Sequence, residues 1–382
     1  MFIDADVCSM TEREQQILDL IKLDPMIAQS TLADMLNISR SAVAGHITNL
    51  TRKGFIQGKG YLIAPDRFAV VIGGANMDLC GRSCSDLVMG SSNPGTLTAS
   101  AGGVGRTIAE NIARLGSKVE FVSAVGEDLW GEQLLDSCRD ADVGVEHCLI
   151  VPGRATSTYL SIQGPDGQLQ VALNDMALFE ELNAERLAKR SPLLNRATII
   201  AVDANLTESA LEHVFQTQAA KPIFVDPVSV LKAEKIKPFL SCIHTLKLEL
   251  AEAELLAGYP ASQHHHLPKI ANKLHDMGVK QLVISLGNKG VFSSQDRKGH
   301  FHTCSDSTVN LTTDGREGLL AGLVHGYLQS TSWQQSVEYA LVSAGLAPQN
   351  DYANLLKQGR HGSQYRTADK FENDADLGLY YD

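Results

Sequence analysis

Apolar positions in the first sixty residues recur at helical spacing in three short blocks. Thr11-Glu-Arg-Glu14 is a capping box, Ile17, Leu18, Leu20, Ile21 and Leu23 follow it, and Asp24-Pro25 ends the block. Ser30–Leu36 is the second block. Val43, Ile47 and Leu50 mark one face of the third, Arg40–Arg52, with Ser39 as its N-cap. Phe55-Ile56 and Tyr61–Ile63 read as two short β runs around Gln57-Gly-Lys-Gly60. From about residue 68 the pattern changes. Phe68–Ile72, Val119–Val122, Ile199–Val202, Ile223–Val225 and Leu282–Ser285 are continuous apolar runs, which suit strands buried on both faces. Helical periods stand between them at Thr107–Leu115, Gly131–Arg139, Glu208–Gln218, Leu250–Ala257 and Leu267–Met277. This alternation predicts an α/β fold, a three-layer sandwich with right-handed crossovers. Leu97–Ser100, Thr156–Ile162 and Leu169–Leu173 read as strands apart from the main sheet, a small flap over a site.

The same pattern divides the chain into residues 1–66, 67–355 and a polar, aperiodic tail, 356–382. No apolar run approaches a membrane span, and the N-terminus lacks the basic start and long apolar block of a signal peptide. The seven cysteines are scattered without a C-x-x-C pair, which suggests neither a disulfide framework nor a zinc site, and a reducing, cytoplasmic setting is expected. A net charge of -11 argues against nucleic-acid binding by the whole surface but leaves room for a local basic patch. His264-His-His266 reads as a solvated loop.

That patch is in the first segment. Ile38–Ala64 holds no Asp or Glu. Three helices and a small hairpin there resemble a winged helix-turn-helix domain. Ser39, Arg40, Ser41 and His46 are then candidates for base edges, and Lys53 and Lys59 for phosphates. The alternative is a small interaction or dimerisation module with a basic face. A single such domain binds DNA weakly, so a homodimer is expected.

In the second segment, Phe68–Ile72 runs into Gly73-Gly-Ala-Asn-Met-Asp78, where Asn76 and Asp78 in a strand-end turn could bind a ribose diol. Gly102 and Gly103 let the backbone approach a ligand before the helix at Thr107. Leu286-Gly-Asn-Lys-Gly290 is a strand-to-strand turn. Ser307–Gly322 runs from a strand-like Thr308-Val309 through a polar turn into an apolar helix at Leu319, an arrangement that receives anions. Glu317 or Asp314 in that turn could take a proton from a substrate hydroxyl.

Gly73–Asp78, Ser92–Gly95, Ala101–Arg106, Ser123–Asp128, Leu149–Gly153, Asn174–Met176, Phe224–Ser229 and His244–Lys247, in this order and spacing, resemble the ribokinase-like (PfkB) family of sugar and nucleoside kinases, above all the pseudouridine kinases. The resemblance implies a substrate site at Asn76, Asp78, Gly102, Gly103, Arg106, Thr107 and Asn174, with Arg106 meeting a polar group of the base or the transferred phosphate. It implies ATP phosphates near Gly287, Gly290, Gly315 and Arg316, Mg²⁺ held indirectly by Glu252 and Glu249, and Glu317 as the base, with Asp314 as the alternative. Thr107 and Glu249 stand where the family has Asn. Asp314 and Arg316 stand where the catalytic turn has glycines, which implies strain if that turn needs positive φ. Two functions follow as expectations. One is ATP-dependent phosphorylation of the ribose 5′-hydroxyl of pseudouridine or a related nucleoside. The other is a ligand-sensing transcriptional regulator whose kinase-like domain binds nucleoside or sugar with little or no phosphotransferase activity.

Overall fold

The computed structural model describes residues 10–57, 67–260, 266–303 and 313–346. Lys59, Tyr61–Ile63, Thr308-Val309, His264-His265 and the tail from 347 onward lie outside the described residues. The chain divides into two compact units, Met1–Arg67 with Lys189–Ala197, and the remainder.

The first unit carries α1 (Glu12–Leu23), α2 (Gln29–Leu36) and α3 (Arg40–Arg52). The capping box forms as its sequence requires: Thr11 caps the amide of Glu14, and the Glu14 carboxylate accepts from the Thr11 amide at 2.8 Å. Asn37 turns the chain between α2 and α3 in the left-handed region at φ 50°, and the Ser39 hydroxyl accepts from the Ala42 amide. Ile17, Leu18, Ile21, Leu32, Val43, Ile47, Leu50 and Ile56 close one small core.

The second unit carries the strands β1 (Ala69–Ile72), β2 (Asn76–Ser83), β3 (Gly95–Gly102), β4 (Val119–Val122), β5 (Ala124–Gly126), β6 (Leu149–Val151), β7 (Thr158–Gln163), β8 (Leu169–Asp175), β9 (Ile199–Asp203), β10 (Ile223–Asp226), β11 (Thr245–Glu249), β12 (Gln281–Ser285), β13 (Val291–Gln295) and β14 (Lys298–His302). Its helices are α4 (Val104–Arg114), α5 (Leu129–Asp140), α6 (Ala184–Ala188), α8 (Glu208–Thr217), α9 (Val230–Ala233), α10 (Leu250–Ala257), α11 (Leu267–Asp276), α12 (Thr313–Leu328) and α13 (Trp333–Ser343). The intervening α7 (Ser191–Arg196) belongs to the first unit. There Arg196 donates to the Gly54 carbonyl at 2.6 Å and lies 4.6 Å over the Phe55 ring.

Eight strands form the main sheet in the order β14-β13-β12-β11-β10-β9-β1-β4. It is parallel from β4 to β12, and the β12-β13-β14 edge is antiparallel. All four residues of β1 are buried, as the continuous apolar run requires of a strand covered on both sides. Ala69 and Val71 join one core with Ile108, Leu319, Leu320 and Val337 of α4, α12 and α13, which leaves Val70 and Ile72 for the opposite layer. Asp296 and Arg297, both at positive φ, make the tight β13-β14 turn.

The second sheet, β3-β2-β7-β8, is the flap. It contains a strand the sequence reading passed over. Asn76 and Asp78 lie on β2, paired in register with β3 and β7, and not in a strand-end turn. A second correction concerns α12, which begins at Thr313. The segment Asp314–Glu317 is therefore the first turn of a helix and not a loop before it. Helical residues have negative φ, so Asp314 and Arg316 need no glycine conformation there.

Candidate active site

Parallel strands bring their C-terminal ends to one edge of the sheet, and the candidate residues gather there. Neighbouring strands end at Gly73 after β1, Asp203 on β9, Asp226 on β10, Glu249 on β11 and Leu286 after β12, and Asp203 pairs with Asp226 and Glu249 with Ser285. From β1 to β11 is three strand spacings, roughly 14 Å.

At the β1 end the backbone is drawn tight around Gly73-Gly74. The Asp203 carboxylate, fully buried, accepts from the Gly74 amide at 2.8 Å and the Asn205 amide at 2.9 Å. Burial pushes the Asp203 pKa up, against those hydrogen bonds and the charge of Lys232. Lys232 donates to Asn205 at 2.6 Å, and Lys235 to the carbonyls of Ala204 and Leu206, so this corner is braced from both sides. A side chain on Gly103, at φ 103°, would strike the Gly74 backbone. One on Gly102 would strike the Asp78 carboxylate, which therefore lies directly on the Gly102 backbone. Asn76 donates to Asp78 at 2.6 Å. Asn76, Asp78, Gly102 and Gly103 thus form one surface at the root of the flap, and Asn174, on β8, belongs to the flap sheet beyond it.

Arg106 is turned to a different use from the one expected. Its guanidinium donates to the carbonyls of Gly102 and Ala101 at 2.8 Å each, to Thr107 at 3.1 Å and to Glu110. Arg106 and Thr107 are both buried, so they clamp the glycine turn from behind. Lys53 in the first unit is a similar correction. Its ammonium meets the buried Glu14 carboxylate at 2.8 Å and is itself only 11% exposed, so it is committed to the helical core. Ser39, Arg40 and Ser41 are exposed at the start of α3, and His46 is half-buried. The Ser39 hydroxyl is occupied as the helix cap.

The β10-β11 end holds a charge cluster that single motifs did not reveal. Lys247, on β11, is buried and lies 3.0 Å from Asp226 Oδ2, with side-chain exposures of 4% and 1%. Asp226 Oδ1 accepts from the Val228 amide at 2.8 Å, and Val228 is held at φ 70°, a strained conformation for a β-branched residue. Burial works against the Lys247 ammonium, but Asp226, then Glu252, Glu317 and Glu249 outweigh it and hold its pKa above the ordinary range. Burial raises Glu252 to about 7, Lys247 opposing. The Glu252 carboxylate accepts from the Glu249 amide at 2.7 Å, closing the first turn of α10. Arg316, on α12, reaches Glu249 at 3.0 Å. Glu317 is buried beside it. The cluster therefore joins two helix N-termini, α10 and α12, around one buried lysine. Asp226 and Lys247 lie in two separate motifs of the sequence, and only strand pairing reveals that they meet.

Gly287 and Gly290, at φ 63° and 110°, shape the β12-β13 connection as expected, and a side chain on Gly290 would strike the His302 carbonyl. Among the described residues no three His, Cys, Asp or Glu side chains converge to hold a metal ion. Among them, too, no helix is long and apolar enough to cross a membrane.

The fold and the paired clusters define a ribokinase-like α/β domain behind a winged helix-turn-helix domain. Residues 66–357 match the pfkB family carbohydrate kinase model and residues 10–57 the winged helix-turn-helix DNA-binding model. The chain belongs to the pfkB carbohydrate kinase family. It is 41% identical over 339 residues to the uncharacterized sugar kinase YeiI of Escherichia coli K12, covering 88% of this chain and 94% of that protein. It is 38% identical over 289 residues to the pseudouridine kinase of the same organism, covering 75% and 92%. Arabidopsis thaliana ribokinase, solved with ribose and ATP, superimposes with a TM-score of 0.65 at 19% identity over 77% of this chain and 99% of that one, a likeness of fold.

Proposed function

We propose that this protein transfers the γ-phosphoryl group of ATP to the ribose 5′-hydroxyl of pseudouridine or a closely related nucleoside, and that its first domain binds DNA. The observation that carries the reading is the presence of two unlike clusters: Asn76 and Asp78 over Gly102 at the root of the flap, and Lys247, Arg316 and Glu317 at the β10-β11 end of the main sheet. The relatives named above point the same way.

Asn76 and Asp78 would orient the sugar, with Asn174 closing from the flap. Glu317 would accept the hydroxyl proton as the oxygen bonds to the γ-phosphorus and the bond from that phosphorus to the bridging oxygen breaks, leaving ADP and the 5′-phosphate. The N-terminus of α12 and the Arg316 guanidinium suit the charge on the phosphoryl group in flight. Gly287 and Gly290 would border the remaining phosphates. The donor set suits a Mg²⁺ held by nucleotide phosphates and water, with Glu249 and Glu252 as outer partners, rather than an all-protein cage. Such an ion supplies neutralisation of phosphate charge.

Ser39, Arg40, Ser41 and His46 at the start of α3 are the residues proposed for base edges, and Lys59 for a phosphate. A homodimer suits both this use and the flap. The flap face away from Asp78 carries Leu97, Leu79, Leu160, Val171 and Leu173 in register, and Leu97 and Leu173 are 83% and 65% exposed. A second copy pairing two such faces would cover an apolar surface of a kind monomers rarely expose.

One observation favours the second reading, a sensor without turnover. Arg316 is paired with Glu249, so two groups suited to nucleotide and Mg²⁺ satisfy each other. ATP consumption with pseudouridine, with Glu317→Gln as the control, tests the kinase. Turnover at least about a hundredfold above the variant supports it, in line with the weight of a general base. Absence of turnover, together with pseudouridine-dependent thermal stabilisation and altered duplex affinity, supports the sensor instead.

A further inference from the structure

The flap pairs its strands so that Ser100, Asp78, Tyr159 and Asn174 stand in one row across β3, β2, β7 and β8. Residues paired in register share a face and lie about 5 Å apart. Tyr159 therefore stands between a carboxylate and an amide that both suit sugar hydroxyls. Its ring is half-buried, and its neighbours in the row are polar, which is not the setting of a core tyrosine. Strand register places ring and carboxylate side by side, and burial and then the Asp78 carboxylate push its phenol above the ordinary range.

From this row we infer that Tyr159 is a specificity determinant that stacks on the flat heteroaromatic base of a nucleoside while Asp78 holds the adjoining sugar. The inference rests on the nucleoside-kinase reading and narrows its substrate class. A nucleoside carries its base directly on the sugar ring, so a group bound at Asp78 brings the base within reach of the next residue in the row. A free pentose has nothing to place against that ring and gains nothing from it. A π face accepts bases of different hydrogen-bond pattern. Tyr159 thus sets nucleoside against sugar, leaving the choice among bases to other groups.

The experiment is equilibrium binding of pseudouridine, uridine and ribose, without ATP, to the full chain and to its Tyr159→Leu and Tyr159→Phe variants, followed by 5′-phosphorylation kinetics. Stacking between a base and an aromatic side chain corresponds to a loss of roughly 5- to 150-fold on its removal. Tyr159→Leu is therefore expected to lose about tenfold or more in affinity for both nucleosides while ribose binding changes less than about threefold, and Tyr159→Phe to retain most nucleoside affinity. Equal losses for ribose and nucleosides would overturn the inference, because Tyr159 would then only support the flap. Wild-type protein that binds ribose as tightly as pseudouridine overturns it too. The kinase reading fails separately: Tyr159-dependent nucleoside binding without phosphate transfer removes the kinase and keeps the base-reading tyrosine. Phosphorylation indifferent to Tyr159 does the reverse.

Discussion

Replacing Lys247 by methionine should destabilise the second unit more than any single change to the acids around it. Its ammonium lies 3.0 Å from Asp226, both side chains are at most 4% exposed, and Glu252, Glu317 and Glu249 add to the negative potential. Methionine fills most of the volume, so the cost is electrostatic: a buried carboxylate is left without its cation. Breaking a buried pair in this way costs about 3–5 kcal/mol. For a unit of this size that corresponds to a fall in Tm of roughly 5–8 °C. The reciprocal change, Asp226→Asn, should cost less, because Lys247 keeps three carboxylates and Asn can still accept from the Val228 amide. Double replacement, Lys247→Met with Asp226→Asn, should recover at least half of the single-variant loss.

The pH dependence falls in a higher window than that of an exposed carboxylate pair. Glu252 already sits near 7, with Lys247 holding it down. Without the lysine it takes up a proton more readily, so the Lys247→Met deficit should be smaller at pH 6 than at pH 8. Both tryptophans, Trp130 and Trp333, lie in the second unit, so urea denaturation followed by tryptophan fluorescence reports it without interference from the first. A deficit under about 1 kcal/mol, or a double variant no better than Lys247→Met, would refute the claim that the cluster is held by this one cation.

Four further outcomes follow from particular contacts. Gly102→Ala puts a methyl into the Asp78 carboxylate, so nucleoside-induced thermal stabilisation should be lost, whereas Gly45→Ala, in α3 where a side chain meets open space, should leave it intact. Lys53→Met strips the buried Glu14 of its cation and should cost the first unit about 1–3 kcal/mol, read in the full chain by hydrogen exchange of the α1 and α3 amides at pH 7. Burial and then Glu146 raise Glu120 to about 7 from 4.5, so the folded state holds more protons than the unfolded one between those values and stability falls as pH rises through that window. Glu120→Gln should flatten that fall by on the order of 2 kcal/mol, and an unchanged slope between pH 4.5 and 7.5 in chemical denaturation would sink the assignment. Leu173→Glu, on the exposed apolar face of the flap, should shift sedimentation from dimer to monomer, and a monomeric wild type would dispose of that interface.

Much of the fold was legible because it rests on local period. Continuous apolar runs gave β1, β4, β9, β10 and β12 to within a residue or two, since a strand covered on both faces leaves little choice of residue. The capping box at Thr11 and the Ser39 cap gave helix starts directly. The flap was harder, because Asn76–Ser83 mixes polar and apolar residues and looks like a turn until its partners β3 and β7 are known. The site divides in the same way. Glycines announce close approach, and Gly102 and Gly103 make it. Charges in a sequence do not announce their partners. Arg106 and Lys53 read as outward-facing groups, and only tertiary contacts show both turned inward. Lys247 and Asp226 are twenty-one residues apart and meet only because β10 and β11 are neighbours.

The first turn of α12 changes most when sequence and structure are set together. A loop of this composition would need left-handed backbone at Asp314 and Arg316, and such residues there would count against phosphate binding. A helix that starts at Thr313 removes that demand, and a helix N-terminus favours an anion without left-handed backbone. The glycines lie further along. Side chains at Gly318, Gly322 and Gly326 would strike Ser343, Ala340 and Ser336, so this stripe lets α13 press its backbone against α12. Close packing of that kind fixes the direction and depth of the helix. Position is what an electrostatic site most needs, because a donor displaced by an ångström loses much of its effect. The chain therefore fixes this helix end by burying glycines in a helix–helix contact, with Arg316 half-buried and Glu317 buried in its first turns. Whether their charge serves turnover or only binding then depends on one geometric fact, the pairing of Arg316 with Glu249, and Glu249→Gln is its direct test. If the pair restrains Arg316, the variant should gain affinity for ATP. If Glu249 instead supports a Mg²⁺ beside the phosphates, the variant should lose it in Mg²⁺-dependent fashion.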